Sequence, residues 1–387
     1  MNSVKNERKK TVQMSHMEDI SISDVEEILT DVERNLQSST IEQKKQLTNV
    51  MYKKDINEKI MGIVYGTAMG EISGGEGKSC NVKQVLAVLD SYTMFGQVDL
   101  ANYLKLLSDI PLGKYVKSIT GHSEYFTSVE VASSSAHDKY MNDQDNHVSS
   151  NTPLIRSSIA GIFKSWDDDA VSFCMCTHTD NRCIAACVVY SSVIRNMILG
   201  HVDGADKTIS EIVSMLEYSG NISSVDYLNE LKKWTNSDHY TKLEKLKLDD
   251  GDVKYVYKCL SASLWGLNEY SNRSNDEIFC PSSTFKDIIL AVTDQGGDNV
   301  NNCSAVGAMV GCSAGFSNLP LDWVDEIPNR KLIDDKVLSV LKRLSLVDQD
   351  ASFNDIPLTA NSTVCKNNTL TDENPSDDVD EQVDTLK

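Results

Sequence analysis

The sequence predicts an all-α body, and three observations carry that reading. Between about residues 55 and 346 apolar side chains recur every three or four positions, no run alternates with period two, and only 7 prolines interrupt 387 residues. Residues 83–92, 99–107, 181–199, 208–218, 224–234, 252–267 and 302–316 each carry a helical apolar stripe. In the segment 252–267 the stripe is Val253, Val256, Tyr257, Leu260, Leu264 and Leu267, a core-facing pattern. Ahead of these helices, IMGIVYGTAMGEISGG reads as a further helix with glycines at 62, 66, 70 and 74, four apart on one face. Each glycine costs about 1 kcal/mol in a helix relative to alanine, and close approach of a second backbone is the natural compensation.

The ends of the chain differ from this body. Residues 18–37 have helical spacing (Ile20, Val25, Ile28, Leu29, Val32, Leu36) in a heavily acidic setting, which fits a helix packed on the body or one that seeks a partner. Residues 347–387 are rich in Asp, Asn, Ser and Thr and are expected to be a disordered acidic tail. The division is therefore 1–54 as an N-terminal extension, 55–346 as the folded domain and 347–387 as the tail.

Composition narrows the function. The 37 basic and 57 acidic residues leave a net charge of −20, and with a pI near 4.7 a nucleic-acid partner is not expected. No apolar run approaches the roughly 18 residues of a membrane span, and MNSVKNERKKTVQMSHMED has no apolar core of a secretory signal. A cytoplasmic, membrane-free protein is expected, its ten cysteines read as reduced thiols rather than a disulfide framework.

Four segments carry more than packing information. The first glycine ladder reads first as a plain helix crossing; the functional alternative adds that Glu71, at its end, reaches a crowded interior where a carboxylate needs a partner. The following GGEGKSC ends like a phosphate loop, but Ile72 stands where that pattern needs glycine. In VTDQGGDNVNNCSAVGAMVGCSAG a Gly296-Gly297 turn precedes Asp298 and a helix with Gly307, Gly311 and Gly315 four apart. That turn either caps a helix and does nothing else, or aims side chains from a helix start into a cavity facing the first ladder. Cys174, Cys176, His178, Cys183 and Cys187 are dense in soft ligands but lack structural-zinc spacing, and are read as buried thiols with His178 at a loop-to-helix junction.

Together these segments resemble the ADP-ribosylglycohydrolases, over residues 60–323. Gly62 through Gly74 is similar to the family's G-x3-G-x3-G-D-A-x-G, with Glu71 in place of Asp; Ser150-Asn-Thr-Pro-Leu-Ile-Arg156 resembles G-N-G-A-x-M-R, keeping Asn151 and Arg156. Thr177-His178 is similar to T-H-x-x-P, and Gly296-Gly297-Asp298, the small-residue helix, Leu319-Pro320 and Trp323 resemble G-G-D-T-D-T and the final P-x-x-W. The resemblance implies a compact multi-helix bundle around a central cleft. It also implies a binuclear Mg²⁺ centre that cleaves the glycosidic bond between ADP-ribose and a protein side chain or small leaving group.

The departures alter that expectation. The family's T-D-D-T falls on Ser79-Cys80-Asn81-Val82 and its D-x-D-T on Asp298, Val300 and Asn301, so Asp298 is the one carboxylate kept. Ser79, Asn81 and Asn301 offer neutral oxygens, whereas Cys80 and Val300 do not serve a hard cation. Mg²⁺ is expected to be lost or weakened, with Glu71, Glu76 and Asp294 as the candidates for a displaced site. If there is activity, Glu71 or Glu76 is the expected acid or base, with Asn151, Arg156, His178, Gly296 and Gly297 binding ligand. Arg156 as a structural bridge and Asn151 as a turn residue remain equal alternatives. Two functions follow: a divergent hydrolase acting on ADP-ribosylated protein, or a pseudoenzyme that binds ADP-ribose or serves as a scaffold. The acidic tail's partner is not readable.

Overall fold

In the computed structural model, residues 41–75, 81–108, 149–178, 180–201, 205–219 and 225–359 are described. The expected helix at 18–37, Glu76, Ser79, Cys80 and residues 360–387 lie outside them. Among the described residues the body is all-α, and the one extended contact is an isolated antiparallel bridge between Ser150 and Tyr255.

The body is organised around one helix pair. Helix α1, Ile41–Gly74, is 34 residues long, about 50 Å at 1.5 Å per residue, and begins ahead of the expected boundary at residue 55. Further along the chain come α2 (Asn81–Phe95), α3 (Leu100–Ser108), α4 (Thr152–Ser157), α5 (Trp166–Met175), α6 (Asn181–Ile198), α7 (Ala205–Ser219), α8 (Val225–Trp234) and α9 (Ser237–Tyr240). They are followed by α10 (Val256–Arg273), α11 (Pro281–Asp294), α12 (Asn299–Ala314), α13 (Leu321–Asp325) and α14 (Arg330–Arg343). The seven striped segments all fall on helices, but the stripe reading passes over α4, α5, α9, α11, α13 and α14.

The two glycine ladders meet each other. Helix α12 lies antiparallel on the second half of α1: a Cβ on Gly62, Gly66 or Gly70 would collide with the carbonyl oxygen of Gly311, Gly307 or Cys303 respectively. The cost of glycine in a helix is thus offset by backbone-to-backbone packing, the compensation the spacing predicts. Around this pair lie α10, whose Val256, Tyr257, Leu260 and Leu264 are buried, and α6, whose Cys183, Cys187, Tyr190 and Ile194 are buried. Seven described cysteines are free thiols; Cys280 is the exception to the reduced-thiol expectation, being disulfide-bonded.

Residues 347–359 fall in the segment expected to be tail, yet they lie against the body. Val347 and Ile356 are buried, the Phe353 ring sits 6.5 Å from that of Tyr65, and Asn57 donates to the Pro357 carbonyl (3.0 Å). Glu58, 3% exposed, accepts from the Ser317 N–H (2.7 Å) and hydroxyl (2.6 Å) and from the Thr359 N–H (2.8 Å) and hydroxyl (2.9 Å). Four donors on one carboxylate make the burial of that charge tolerable. Apolar residues too sparse to mark a helix are enough to hold a strap.

Candidate functional site

Short backbone devices gather the candidate residues. The Asn151 N–H donates to the Lys254 carbonyl (2.9 Å) and the Val256 N–H to that of Ser149 (2.8 Å). This holds Asn151 beside the start of α10 before Pro153 opens α4. On the other side Gly296 and Gly297 adopt φ of +72° and +79°, and a Cβ on Gly297 would collide with the Leu248 carbonyl oxygen. The two glycines shape the turn that sets Asp298 at the head of α12.

Asn301 stands at the centre of the resulting cluster. Its side-chain amide nitrogen donates to Asp298 Oδ2 (2.9 Å) and to Asn151 Oδ1 (3.0 Å), while its Oδ1 accepts from Asn81 Nδ2 (2.9 Å). Asn151 Nδ2 donates to the same Asp298 oxygen (3.2 Å), and Asn81 Nδ2 also donates to Ser304 Oγ (2.9 Å). The amide orientations follow from the acid: an ionised carboxylate only accepts, so the Asn301 nitrogen faces it and its oxygen is left for Asn81.

The network continues away from Asp298. Gln84 Nε2 donates to Asn81 Oδ1 (3.4 Å) and Gln84 Oε1 accepts from Arg156 Nη1 (2.9 Å). Arg156 Nε donates to the Phe173 carbonyl (2.7 Å), and its Nη2 to Thr177 Oγ1, which is 2.7 Å from His178 Nδ1. One chain of hydrogen bonds thus joins His178, Thr177, Arg156, Gln84, Asn81, Asn301 and Asp298. Burial, with the Arg156 charge adding to it, holds His178 down to about 3, so its imidazole is neutral. Burial likewise pushes the thiols of Cys174 and Cys183 up, and that of Cys176 to about 11. Cys174 and Cys183 are the buried thiols expected from the spacing, whereas Cys176 is only partly buried.

Glu71 is drawn into a different task. Its Oε2 accepts from the Val82 N–H (2.7 Å), a first-turn amide of α2 that has no carbonyl partner within the helix. The carboxylate is buried and ties the end of α1 to the start of α2. Asp294 is exposed.

Among the described residues, the oxygens at the expected Mg²⁺ positions are engaged by neighbouring amides. Such ions need hard oxygens, usually with carboxylates among them. Here Asp298 Oδ2, Asn301 Oδ1, Asn151 Oδ1 and Asn81 Oδ1 each accept from a neighbouring amide. Among the described residues no group of three His, Cys, Asp or Glu is arranged to hold a metal. Of the residues singled out by sequence, Asn81, Asn151, Asp298 and Asn301 come together directly, and Arg156 and His178 join them through Gln84 and Thr177. Gln84 and Ser304 are the members that sequence reasoning missed. The one available signal for Gln84 is its place three residues after Asn81 on the same helix.

The family model for ADP-ribosylglycohydrolase matches residues 53–352. A solved structure described as an ADP-ribosylglycohydrolase-related protein complex superposes with a TM-score of 0.50 at 14% identity, covering 75% of this chain and 99% of that one. No curated protein sequence matches. No helix among the described residues is long and apolar enough to cross a membrane.

Proposed function

The chain belongs to the ADP-ribosylglycohydrolase family, and from that premise we propose that it is a member that binds ADP-ribose without Mg²⁺ and does not hydrolyse it. The observation that carries this reading is the Asn301 amide, which donates to Asp298 and Asn151 and so occupies the acceptors a dication would use.

The family's hydrolysis depends on metals that orient ribose hydroxyls and a water. In this chain three amides hold the would-be ligand positions to one another instead. Glu71 is engaged by the Val82 amide, which leaves it poorly placed to exchange a proton with substrate. What survives is an acceptor: Asp298 is half-exposed, and a carboxylate with one oxygen directed to the amides keeps a second to receive a ribose hydroxyl. Arg156 stiffens the wall behind Asn81 through Gln84.

Calorimetric titration of the full chain with ADP-ribose, with and without Mg²⁺, tests the binding half, and release of ADP-ribose from modified Arg and Ser peptides tests the chemical half. Binding of equal strength in both buffers with no release is expected. Metal-dependent release would make it a hydrolase and overturn the proposal; absence of binding in either buffer would leave only a structural role.

A further inference from the structure

One cysteine of this chain is unlike its neighbours. Of the ten in the sequence, seven are free thiols, while Cys280 is disulfide-bonded. Its partner is none of those seven, which leaves Cys80 and Cys365, both outside the described residues. The fold decides between them. Helices α11 and α12 run antiparallel, since Asn299 Nδ2 donates to the Thr293 carbonyl (3.0 Å) and the Cys303 thiol to the Ile289 carbonyl (3.8 Å). Cys280 stands about 13 Å back along α11 from Ile289, and the same rise along α12 leads from Cys303 to Cys312. Cys280 is therefore level with the C-terminal end of α12.

Cys80 belongs to the opposite end. Its neighbour Asn81 donates to Asn301 Oδ1 and Ser304 Oγ, both at 2.9 Å, and these residues lie roughly 12–16 Å along the helix axis from Cys312. A disulfide sets its Cα atoms about 5.5 Å apart and one peptide step adds about 3.8 Å, so Cys80 does not reach Cys280. The C-terminal strap does. Gly315 abuts Glu58, whose Cβ would lie 3.2 Å from a Cβ on the glycine, and Glu58 accepts from the Thr359 N–H (2.8 Å). Thr359 and Cys280 thus stand at one end of the bundle, two helix packings of about 8–10 Å apart. The chain from Thr359 to Cys365 extends to about 20 Å, and the disulfide itself closes the rest.

We propose that Cys280 and Cys365 form a reversible disulfide, a redox-sensitive latch that fastens the C-terminal strap to the start of α11. The bond adds a covalent tie to the buried Val347 and Ile356 and to the Glu58 clasp. It forms by exchange with a low-molecular-weight disulfide such as oxidised glutathione. One cysteine thiolate attacks a glutathione sulfur and expels a glutathione thiolate; the second cysteine thiolate then displaces the other from the mixed disulfide. The two protons of the protein thiols end on the two glutathione thiols, and the two electrons reduce the glutathione disulfide. Cys280 is half-buried beside the 96% exposed Ile278, which leaves it open to such a reagent. It is also the N-cap residue of α11, so opening the bond leaves negative charge at the positive end of a 14-residue helix. The hydroxyls of Ser283 and Ser282 lie 3.2 and 3.6 Å from its sulfur.

The full chain is equilibrated with oxidised glutathione, alkylated and digested with trypsin without reduction. Mass spectrometry is expected to find peptide 274–286 joined to peptide 344–366, and a reductant to part them. Reduction is expected to lower the melting temperature of wild type by about 5 °C and to quicken amide exchange at Ile356 and Thr359. Cys365→Ser is expected to show neither response. Alkylation of both thiols after the oxidation, a glutathione adduct left on Cys280, or peptide 274–286 joined to peptide 79–83 would overturn the proposal. So would a response of C365S to reductant equal to that of wild type.

Discussion

Replacing Asn301 by Asp exchanges one amide nitrogen for an oxygen and reverses the logic of the site. The substitution removes the donor to Asp298 Oδ2 at 2.9 Å and to Asn151 Oδ1 at 3.0 Å. One of these bonds goes to a charged acceptor and one to a neutral acceptor, so their loss costs about 2–4 kcal/mol. The new carboxylate then faces Asp298, and two like charges about 4 Å apart repel by about 4 kcal/mol at an effective dielectric of about 20. Uptake of a proton by the pair relieves part of that, so a net destabilisation of about 3–5 kcal/mol is expected near pH 7. The pair's folded-state pKa is raised above the unfolded value of about 4. The deficit therefore shrinks as pH falls through the raised pKa, where one shared proton restores a donor. Urea unfolding of wild type and N301D at about pH 7.5 and about pH 5 measures both effects. The double variant Asn81→Asp with Asn301→Asp adds a second restored acid, and millimolar Mg²⁺ should recover much of its lost stability while leaving wild type unchanged. Wild-type stability in N301D, or equal stabilisation of wild type by Mg²⁺, would refute the reasoning.

Three further outcomes follow from the packing. Gly307→Ala drives a methyl into the Gly66 carbonyl oxygen, and soluble expression with circular dichroism should show loss of at least about 4 kcal/mol or no folded protein. Glu58→Gln weakens a four-donor clasp by about 2–3 kcal/mol, read as faster amide exchange at Ser317 and Thr359. His178→Asn flattens the acid limb of the stability profile. The folded-state pKa of about 3 lies below the ordinary 6.5, so wild type holds this contribution above about pH 6.5. It loses about 1.4 kcal/mol per pH unit as the pH falls toward 3, and urea midpoints against pH for the two proteins compare the slopes.

Many helices with a one-sided apolar stripe were legible in the sequence, and so was the close approach of a second backbone to the first glycine ladder, because both signals are periodic; which backbone it is was not. Helix α5 was not: it opens with Asp167, Asp168 and Asp169, and its buried residues Trp166, Ala170, Phe173 and Cys174 are too few to mark a stripe. Helices α11 and α14 do carry stripes, Phe285, Ile288, Ile289 and Val292 in one and Ile333, Val337, Val340 and Leu341 in the other, which the stripe reading passes over. At the site, the exchange of acids for Asn81 and Asn301 could be read against the family's motifs. That these amides bond one another could not, because Asn81 and Asn301 are 220 positions apart and either could have faced solvent. Gln84 carries no sequence mark of its role as the link to Arg156; only the fold brings its two ends to two different partners.

The seam between α1 and α12 also limits how this molecule can move. A side-chain interface relaxes by swapping rotamers, but Gly62, Gly66, Gly307 and Gly311 have none. Sliding one helix past the other by a single residue would set Ile63 or Ala308 against a facing backbone where only hydrogen fits. The next register that again aligns glycine with glycine lies four residues away, about 6 Å along the axis. The pair consequently travels as one rod with no small adjustments available to it, and any opening that admits a ligand must come from the elements around its rim.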